Sequence, residues 1–92
     1  MRAKVEQLLE SYGFASRELA TGEKIYEKKG IESVDVVLDE EGIQSLYVAQ
    51  VEYLKLEVSD YGICVRLYYD SLFYIGSICK SWEEIKFFDL EF

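Results

Sequence analysis

The feature that most constrains the fold is a pair of alternating segments, 53–58 and 63–68, on either side of a Ser-Asp-Tyr-Gly sequence. A period of two places successive side chains on opposite sides of a β-strand, and a four-residue loop ending in glycine favours a hairpin. If Val58 pairs with Ile63, the apolar residues of both strands share one side of the sheet. Those residues are Leu54, Leu56, Val58, Ile63, Val65 and Leu67. The sequence therefore predicts an antiparallel hairpin with one buried side.

A third strand is predicted from Leu72 to Lys80, after a reversal at Asp70-Ser71. In this register Leu72, Tyr74 and Ile78 share the apolar side of the hairpin. The opposite side then carries Tyr53, Cys64, Tyr68, Phe73, Ile75 and Cys79. One short helix covers only part of a sheet. We therefore expect this second side to form an interface, unless another segment covers it or the sheet curls into a partial barrel.

The N-terminal residues predict an amphipathic helix over 2–12. Its apolar side chains recur at i, i+3, i+4 and i+7 and so form one stripe. They are Val5, Leu8, Leu9 and Tyr12. Gly13 follows as the expected C-terminal stop. Arg2 and Glu6 have the spacing of an i, i+4 ion pair.

The remaining segments are less regular. Residues 14–30 favour a hairpin around Thr21-Gly22 over a strand followed by a short helix. Residues 81–84 match a capping box and predict a short helical turn. Residues 86–92 alternate as a last strand, with a helix over 82–90 as the competing interpretation.

Alternation also predicts a strand at residues 34–38, followed by a turn at 39–42 and a return strand over 43–48. A bulge or bend is expected at Ala49-Gln50, because 43–58 is long for one flat strand. Together these elements predict a single domain, residues 1–92, of the α+β class. Its expected architecture is an N-terminal helix packed on an antiparallel β-sheet of five or six strands.

The expected location is the cytoplasm, because no apolar run follows the basic residues at the N-terminus and none approaches the ~20 residues that span a bilayer. Cys64 and Cys79 lie opposite each other in the predicted register, so a disulfide is geometrically possible. Two reduced, buried thiols are nevertheless the expectation for a cytoplasmic protein.

Most catalytic and metal-binding motifs are absent from the sequence. The chain has no histidine and only two cysteines, without a CxxC pair, so imidazole catalysis and a zinc site are not expected. The acidic turn at 39–42 lacks the ligand spacing of a calcium loop, and the isolated glycines do not form a phosphate loop. We expect a protein that is not an enzyme and that needs no metal or cofactor. A small carboxylate-based enzyme is the least favoured alternative.

The charge distribution gives the main functional prediction. The net charge is −8, and residues 32–60 hold eight acidic residues against one basic residue, Lys55. Such a chain is repelled by nucleic acid and by anionic membranes, so neither is an expected partner. The acidic residues could simply keep the protein soluble, or they could form a surface for a basic partner. The candidate partner-binding residues are Asp35, Asp39, Glu40, Glu41, Glu52, Tyr53, Glu57, Asp60 and Tyr68.

A row of carboxylates along a strand has a spacing similar to that of phosphates along DNA. In size, charge and class, though in no sequence motif, the chain is similar to DNA-mimic inhibitors, which include phage anti-restriction and anti-CRISPR proteins. Immunity proteins and antitoxins against nucleases would use the same physics. The sequence therefore predicts a small acidic inhibitor that blocks a basic surface of a nuclease or another nucleic-acid-binding protein. The alternative is a structural or regulatory module that forms a homodimer through the apolar side of its sheet.

Overall fold

A computed structural model describes residues 1–38, 44–70 and 72–92, with the backbone alone at 38 and 44–49. Over these residues the chain forms one helix and eight strands. They are α1 (Arg2–Ser11), β1 (Ala15–Glu18), β2 (Lys24–Lys29), β3 (Ser33–Leu38), β4 (Gln44–Ala49), β5 (Tyr53–Val58), β6 (Gly62–Tyr68), β7 (Tyr74–Ser81) and β8 (Phe88–Glu91). No helix in the described ranges is long and apolar enough to cross a membrane.

Within the described ranges the strands form two antiparallel sheets. The larger has the order β1-β2-β5-β6-β7, and the smaller has the order β4-β3-β8. The predicted α+β fold, a helix packed on a mostly antiparallel sheet, is confirmed. The sequence did not predict that β3, β4 and β8 form a separate sheet. The chain changes sheets at the predicted bend, where Gln50 adopts a positive φ of 61° between β4 and β5.

One hydrophobic cluster joins α1 to the inward sides of both sheets. Val5 and Leu9 of α1, Val34 and Val36 of β3, and Leu90 of β8 are among its buried members. The β5–β6 hairpin supplies its centre in the predicted register, Val58 with Ile63, Leu56 with Val65, and Leu54 with Leu67. All six of these side chains are at most 3% exposed. Burial of this apolar side fixes which residues face outward.

The predicted end of the helix is confirmed. Gly13 adopts a φ of 81°, which glycine reaches without the steric cost of a Cβ. Its N–H donates to the carbonyl of Glu10, and the N–H of Phe14 donates to the carbonyl of Leu9, the two hydrogen bonds of a Schellman motif. Phe14 and Leu9 are both buried, so the same turn directs the chain from α1 into the core.

The loop between β5 and β6 is held by side-chain hydrogen bonds. The Ser59 hydroxyl accepts hydrogen bonds from the N–H groups of Tyr61 (3.2 Å) and Gly62 (3.3 Å). The indole N–H of Trp82 donates to the Ser59 carbonyl at 2.7 Å. A Cβ at Gly62 would collide with the carbonyl oxygen of Lys80. Glycine is therefore required here by the close approach of β7.

The predicted register of β7 is wrong at its first residues. Leu67 pairs with Gly76, but Tyr68 pairs with Tyr74, so one extra residue is accommodated in β7. A bulge of this kind exchanges the sides on which the neighbouring residues lie. Tyr74 consequently lies outward beside Tyr68, and Ile75 packs against the core, the reverse of the prediction.

Leu72 and Phe73 precede β7 instead of belonging to it. Leu72, predicted to lie on the apolar side, is 86% exposed, and Phe73 is 65% exposed. Ile78 does pair with Val65 and packs against the core, as predicted.

The expectation of two reduced, buried thiols is also wrong. Cys64 and Cys79 are register partners, as predicted, and they form a disulfide with a Cα–Cα distance of 4.0 Å. Alternation buries Ile63 and Val65 and turns Cys64 outward, while Cys79 on β7 is exposed. The bond therefore crosses the outward side of the larger sheet.

The other segments agree with the favoured predictions. Residues 14–30 form the β1–β2 hairpin. At residues 81–84 the N–H of Ser81 donates to the Glu84 carboxylate at 3.1 Å, as in a capping box, and the chain makes a turn. Residues 88–91 form a strand, β8, and not a helix. The turn predicted at 39–42 lies outside the described residues.

Replacing both cysteines with serine (C64S/C79S) should lower the free energy of unfolding by about 3 kcal/mol, because a disulfide closing a loop of roughly 15 residues restricts the unfolded chain by that amount. Urea unfolding of the oxidised wild type, the reduced wild type and the variant measures this. The reduced wild type should behave like the variant, and reductant should not change the variant. Two free thiols in the oxidised, folded protein would contradict the assignment.

Candidate functional site

The outward side of the larger sheet carries the tyrosines of the predicted site. Strand register places Lys29, Tyr53, Tyr68 and Tyr74 in one row across β2, β5, β6 and β7, which we call the tyrosine row. The ring centroids of Tyr53 and Tyr68 are 5.2 Å apart, and those of Tyr68 and Tyr74 are 5.5 Å apart. The Lys29 ammonium lies 5.9 Å from the Tyr53 centroid, within reach of a cation–π contact. One cation of the chain itself, the Lys29 ammonium, therefore already contacts the tyrosine row.

Glu57, a predicted site residue, is paired with cations of its own sheet. Arg66 approaches both oxygens of its carboxylate, Nε to Oε1 at 3.2 Å and Nη2 to Oε2 at 3.2 Å. Lys55 lies 3.7 Å away. The hydrogen bond to Glu57 is the main cause that raises the pKa of the Arg66 guanidinium. The charge of the Glu57 carboxylate is therefore neutralised by cations of the same sheet.

Asp60 also forms an ion pair with a cation of the chain. It lies in the loop between β5 and β6, where its Oδ1 accepts a 2.6 Å hydrogen bond from Nη1 of Arg2. The other terminal nitrogen of Arg2 donates to the carbonyl of Gly22 at 2.8 Å. Arg2 also lies 3.6 Å from Glu6, the predicted i, i+4 pair. The start of α1 thus places a cation against this loop, although the Asp60 side chain is 88% exposed.

Asp35 belongs to the smaller sheet, apart from the other predicted site residues of known position. It lies on β3 opposite Glu91 of β8, and its Oδ1 is buried without a hydrogen-bond partner among the described residues. Near it, Asp89 accepts a 2.6 Å hydrogen bond from the Tyr12 hydroxyl, the main cause that raises the pKa of Tyr12. The predicted site residues Asp39, Glu40 and Glu41 lie outside the described residues.

Glu52 lies just before β5, where the chain leaves the smaller sheet. Its N–H donates to the carbonyl of Tyr68 at 3.1 Å, and its carbonyl accepts from Gly30 at 2.9 Å. Glu52 lines a shallow hollow together with Glu32 and Asp70. Within the described ranges, no lysine or arginine forms an ion pair with these three carboxylates. In this respect they differ from Glu57 and Asp60.

The connection between β6 and β7 presents large side chains to solvent. Tyr69 is 48% exposed and Tyr74 is 52% exposed, less than Leu72 and Phe73 between them. The Asp70 carboxylate orders this connection, accepting hydrogen bonds from the N–H groups of Leu72 (2.7 Å) and Phe73 (3.0 Å). The N–H of Tyr69 donates to the carbonyl of Phe73 at 2.8 Å. Exposed apolar groups gathered in this way are typical of an interaction site.

The hollow and the connection are continuous, because Asp70 belongs to both. We call the combined region the acidic–aromatic surface, and its residues are Glu32, Glu52, Tyr69, Asp70, Leu72 and Phe73. The hydrogen bond between Glu52 and Tyr68 joins this surface to the tyrosine row. Of the predicted site residues, the structure thus brings together Glu52, Tyr53 and Tyr68.

Sequence reasoning missed the connection as part of the site. The available signal was the chain segment Leu72-Phe73-Tyr74, which directly follows Asp70-Ser71 and precedes a stretch with no charge until Lys80. Assigning Leu72 to a strand interior hid this signal, because it placed the side chain in the core.

This region carries carboxylates beside aromatic rings, the groups that can contact basic side chains. Carboxylates attract basic side chains, and aromatic rings pack against a guanidinium plane. Within the described ranges, no group of carboxylates and thiols is arranged to hold a metal ion. No protein-family model matches the chain, and no curated protein or solved structure is significantly similar to it. Function must therefore be inferred from the residues and their geometry.

The ionisation of Tyr53 gives a test of this geometry. Burial, and secondarily the neighbouring Glu27 carboxylate, raises the pKa of Tyr53 to about 12. Because this value lies above the ordinary pKa of about 10, the stability linked to Tyr53 is complete below pH 10 and is lost as the pH rises toward 12. Glu27→Gln should lower the pKa of Tyr53, as measured by NMR of its ring carbons. Tyr26, whose pKa burial raises to about 12, is the internal control and should not change. An unchanged pKa of Tyr53 would contradict the placement of the Glu27 carboxylate beside the Tyr53 hydroxyl.

Proposed function

We propose that this protein is a small acidic binding protein of the inhibitor type. It docks its acidic–aromatic surface onto a basic surface of a nuclease or another nucleic-acid-binding protein. The observation that carries this proposal is the contrast among carboxylates. Glu57 and Asp60 are paired with cations of the chain, whereas Glu32, Glu52 and Asp70 have no such pair among the described residues.

Unpaired carboxylates favour a basic partner. A chain of net charge −8 repels nucleic acid, and the same field steers a positively charged protein toward it and accelerates association. Proteins that bind nucleic acid carry such positive surfaces. A partner held there could not bind nucleic acid at the same time, which is how DNA-mimic, anti-CRISPR and immunity proteins would act.

The aromatic part favours arginine over lysine in the partner. A planar guanidinium can pair with a carboxylate and stack on an aromatic ring, and it is more weakly hydrated than an ammonium. The exposed rings of Tyr69 and Phe73 lie on the same short connection as Asp70. Leu72 adds apolar contact that salt does not screen. Binding should therefore have a salt-dependent part and a residual part that persists.

The acidic–aromatic surface is not the continuous row of carboxylates that the sequence predicted. Asp35 lies on β3 of the smaller sheet, and Glu57 lies on β5 of the larger sheet and is paired. A phosphate-like row running through both is therefore not the basis of the proposal. In this proposal the protein mimics nucleic acid only in that it competes with nucleic acid for the same basic surface of the partner. Glu32 and Glu52 would supply the negative charge for that contact.

The test uses labelled oligoarginine and oligolysine peptides of equal length as probes, with binding measured by fluorescence anisotropy. Neutralising two carboxylates of the surface (E32Q/E52Q) should weaken oligoarginine binding roughly fivefold, since two partly exposed ion pairs contribute about 1 kcal/mol together. The matched control E18Q/E83Q removes the same charge from exposed residues elsewhere and should have little effect. Wild-type protein should prefer oligoarginine to oligolysine.

Equal losses in the two double variants would contradict the proposal, because binding would then follow net charge alone. The inhibitory role is tested with nucleic-acid-binding proteins captured from a lysate and eluted by increasing salt. Double-stranded DNA should displace the protein from a purified partner. A partner that binds DNA and this protein together would contradict that role.

A further inference from the structure

The disulfide lies where a dissolved reductant can reach it. Cys79 on β7 is exposed, and Cys64 on β6 is half-buried. Both cysteines line a shallow hollow together with Tyr61 and Ser81. Exposed disulfides exchange with external thiols more readily than buried ones, and they are the kind found at labile or regulatory sites. The position of the bond therefore allows its reduction in the folded protein.

Packing holds β7 only weakly. In the described part of the chain this strand pairs with β6 alone. Every residue of β7 is exposed or half-buried, whereas β5 and β6 each contain fully buried side chains. Ile75 and Ile78 contact the core but are themselves only partly buried. Elements with few buried contacts open first in native proteins, so the disulfide is a main restraint on β7.

The disulfide also closes the chain around much of the acidic–aromatic surface. Four of the six residues of that surface lie between the two cysteines, Tyr69, Asp70, Leu72 and Phe73. At the start of β7 the rings of Tyr68 and Tyr74 are in contact across the strand pair. A closed loop restricts the conformations open to the residues inside it. Breaking the bond therefore removes a restraint on these residues as well as on β7.

We propose that the Cys64–Cys79 bond is a reversible redox switch. Its reduction releases β7 from β6 and disorders the acidic–aromatic surface, and its oxidation restores both. The effect on partner binding rests on the proposed function, whereas the release of β7 does not.

The release is confined to one part of β7. Just beyond the strand, the N–H of Trp82 donates to the carbonyl of Tyr61 at 3.1 Å, and its indole N–H donates to the carbonyl of Ser59 at 2.7 Å. These hydrogen bonds do not involve the cysteines and hold the end of β7 in either redox state. The opening therefore extends from the β6–β7 connection toward Cys79.

The co-reactant is a dithiol, which supplies two electrons. One of its thiolates attacks the exposed Sγ of Cys79, the bond to Cys64 breaks, and Cys64 leaves as a thiolate that takes up a proton. The second thiolate of the dithiol attacks the dithiol's own sulfur in this mixed disulfide, and Cys79 leaves and is protonated in turn. The protein then holds two thiols and the reductant holds a disulfide. A disulfide oxidant reverses the exchange.

The backbone N–H of Ile78 reports the release. In an antiparallel ladder, closely spaced pairs without hydrogen bonds alternate with hydrogen-bonded pairs. The Cα–Cα distance of 4.0 Å marks Cys64 and Cys79 as a pair of the first kind. The next pair, Val65 and Ile78, is therefore hydrogen-bonded. The Ile78 N–H is protected from exchange with solvent as long as β7 stays on β6.

The experiment adds dithiothreitol to the folded wild-type protein without denaturant and follows amide hydrogen exchange by NMR. Reduction should accelerate exchange at Ile78 about tenfold more than at Trp82 or at Val51. The N–H of Val51 donates to the carbonyl of Glu32, away from β7, and serves with Trp82 as the internal control. The nuclear Overhauser contact between the Tyr68 and Tyr74 rings should weaken, and reoxidation should restore it.

The matched variant is C64S/C79S, in which Ile78 should exchange rapidly with or without dithiothreitol. A disulfide that resists dithiothreitol in the folded protein would overturn the proposal. So would equal acceleration at Ile78, Trp82 and Val51, because that result reports unfolding of the whole domain.

Labelled oligoarginine tests the effect on the acidic–aromatic surface. Reduction of the wild-type protein should weaken binding about fivefold, as loss of the ordered surface would, and should not affect C64S/C79S. Release of β7 without loss of affinity would contradict the coupling. Oxidised wild-type protein that binds no better than E32Q/E52Q would contradict the proposed function alone, since exchange at Ile78 still decides whether β7 is released.

Discussion

The pairing of β5 with β6 is the interaction on which the rest of the structure depends. It places six apolar side chains on one side of two adjacent strands, with Leu56 and Val65 at the centre. Burying that side against α1 and the smaller sheet removes apolar surface from water and leaves one register compatible with the core. The same alternation turns Tyr53, Glu57 and Tyr68 outward. The composition of the outward side is thus a consequence of core packing.

The outward side of the larger sheet and its junction with the smaller sheet have distinct electrostatic characters. On the outward side of the larger sheet, Glu57 is enclosed by Arg66 and Lys55. At the junction with the smaller sheet, Glu32 and Glu52 form no ion pair in the described part of the chain, although Lys29 lines a hollow with both. A net charge therefore says little about where a partner binds, because pairing inside the molecule decides which carboxylates remain available.

Local patterns predicted much of this fold. The helix with its glycine stop, the β1–β2 hairpin and the β5–β6 register all follow from short-range periodicity and turn chemistry. Two features of the fold could not be predicted from local sequence patterns. The separation into two sheets depends on long-range pairing of β3 with β8, and the bulge in β7 depends on packing of Ile75 against the core. For the site, residue types pointed to Glu52, Tyr53 and Tyr68, which the structure places near one another. The pairing of Glu57 and Asp60 required knowledge of which cations lie beside them.

The register shift between Leu67 and Tyr68 decides which side chains at the start of β7 reach the surface. Nuclear Overhauser spectroscopy on the folded, oxidised protein tests it directly. We expect contacts between the rings of Tyr68 and Tyr74, contacts of the Ile75 methyl groups with buried core side chains, and no core contacts from Leu72. Contacts from Tyr74 and Leu72 to the core, with Ile75 beside Tyr68, would contradict it.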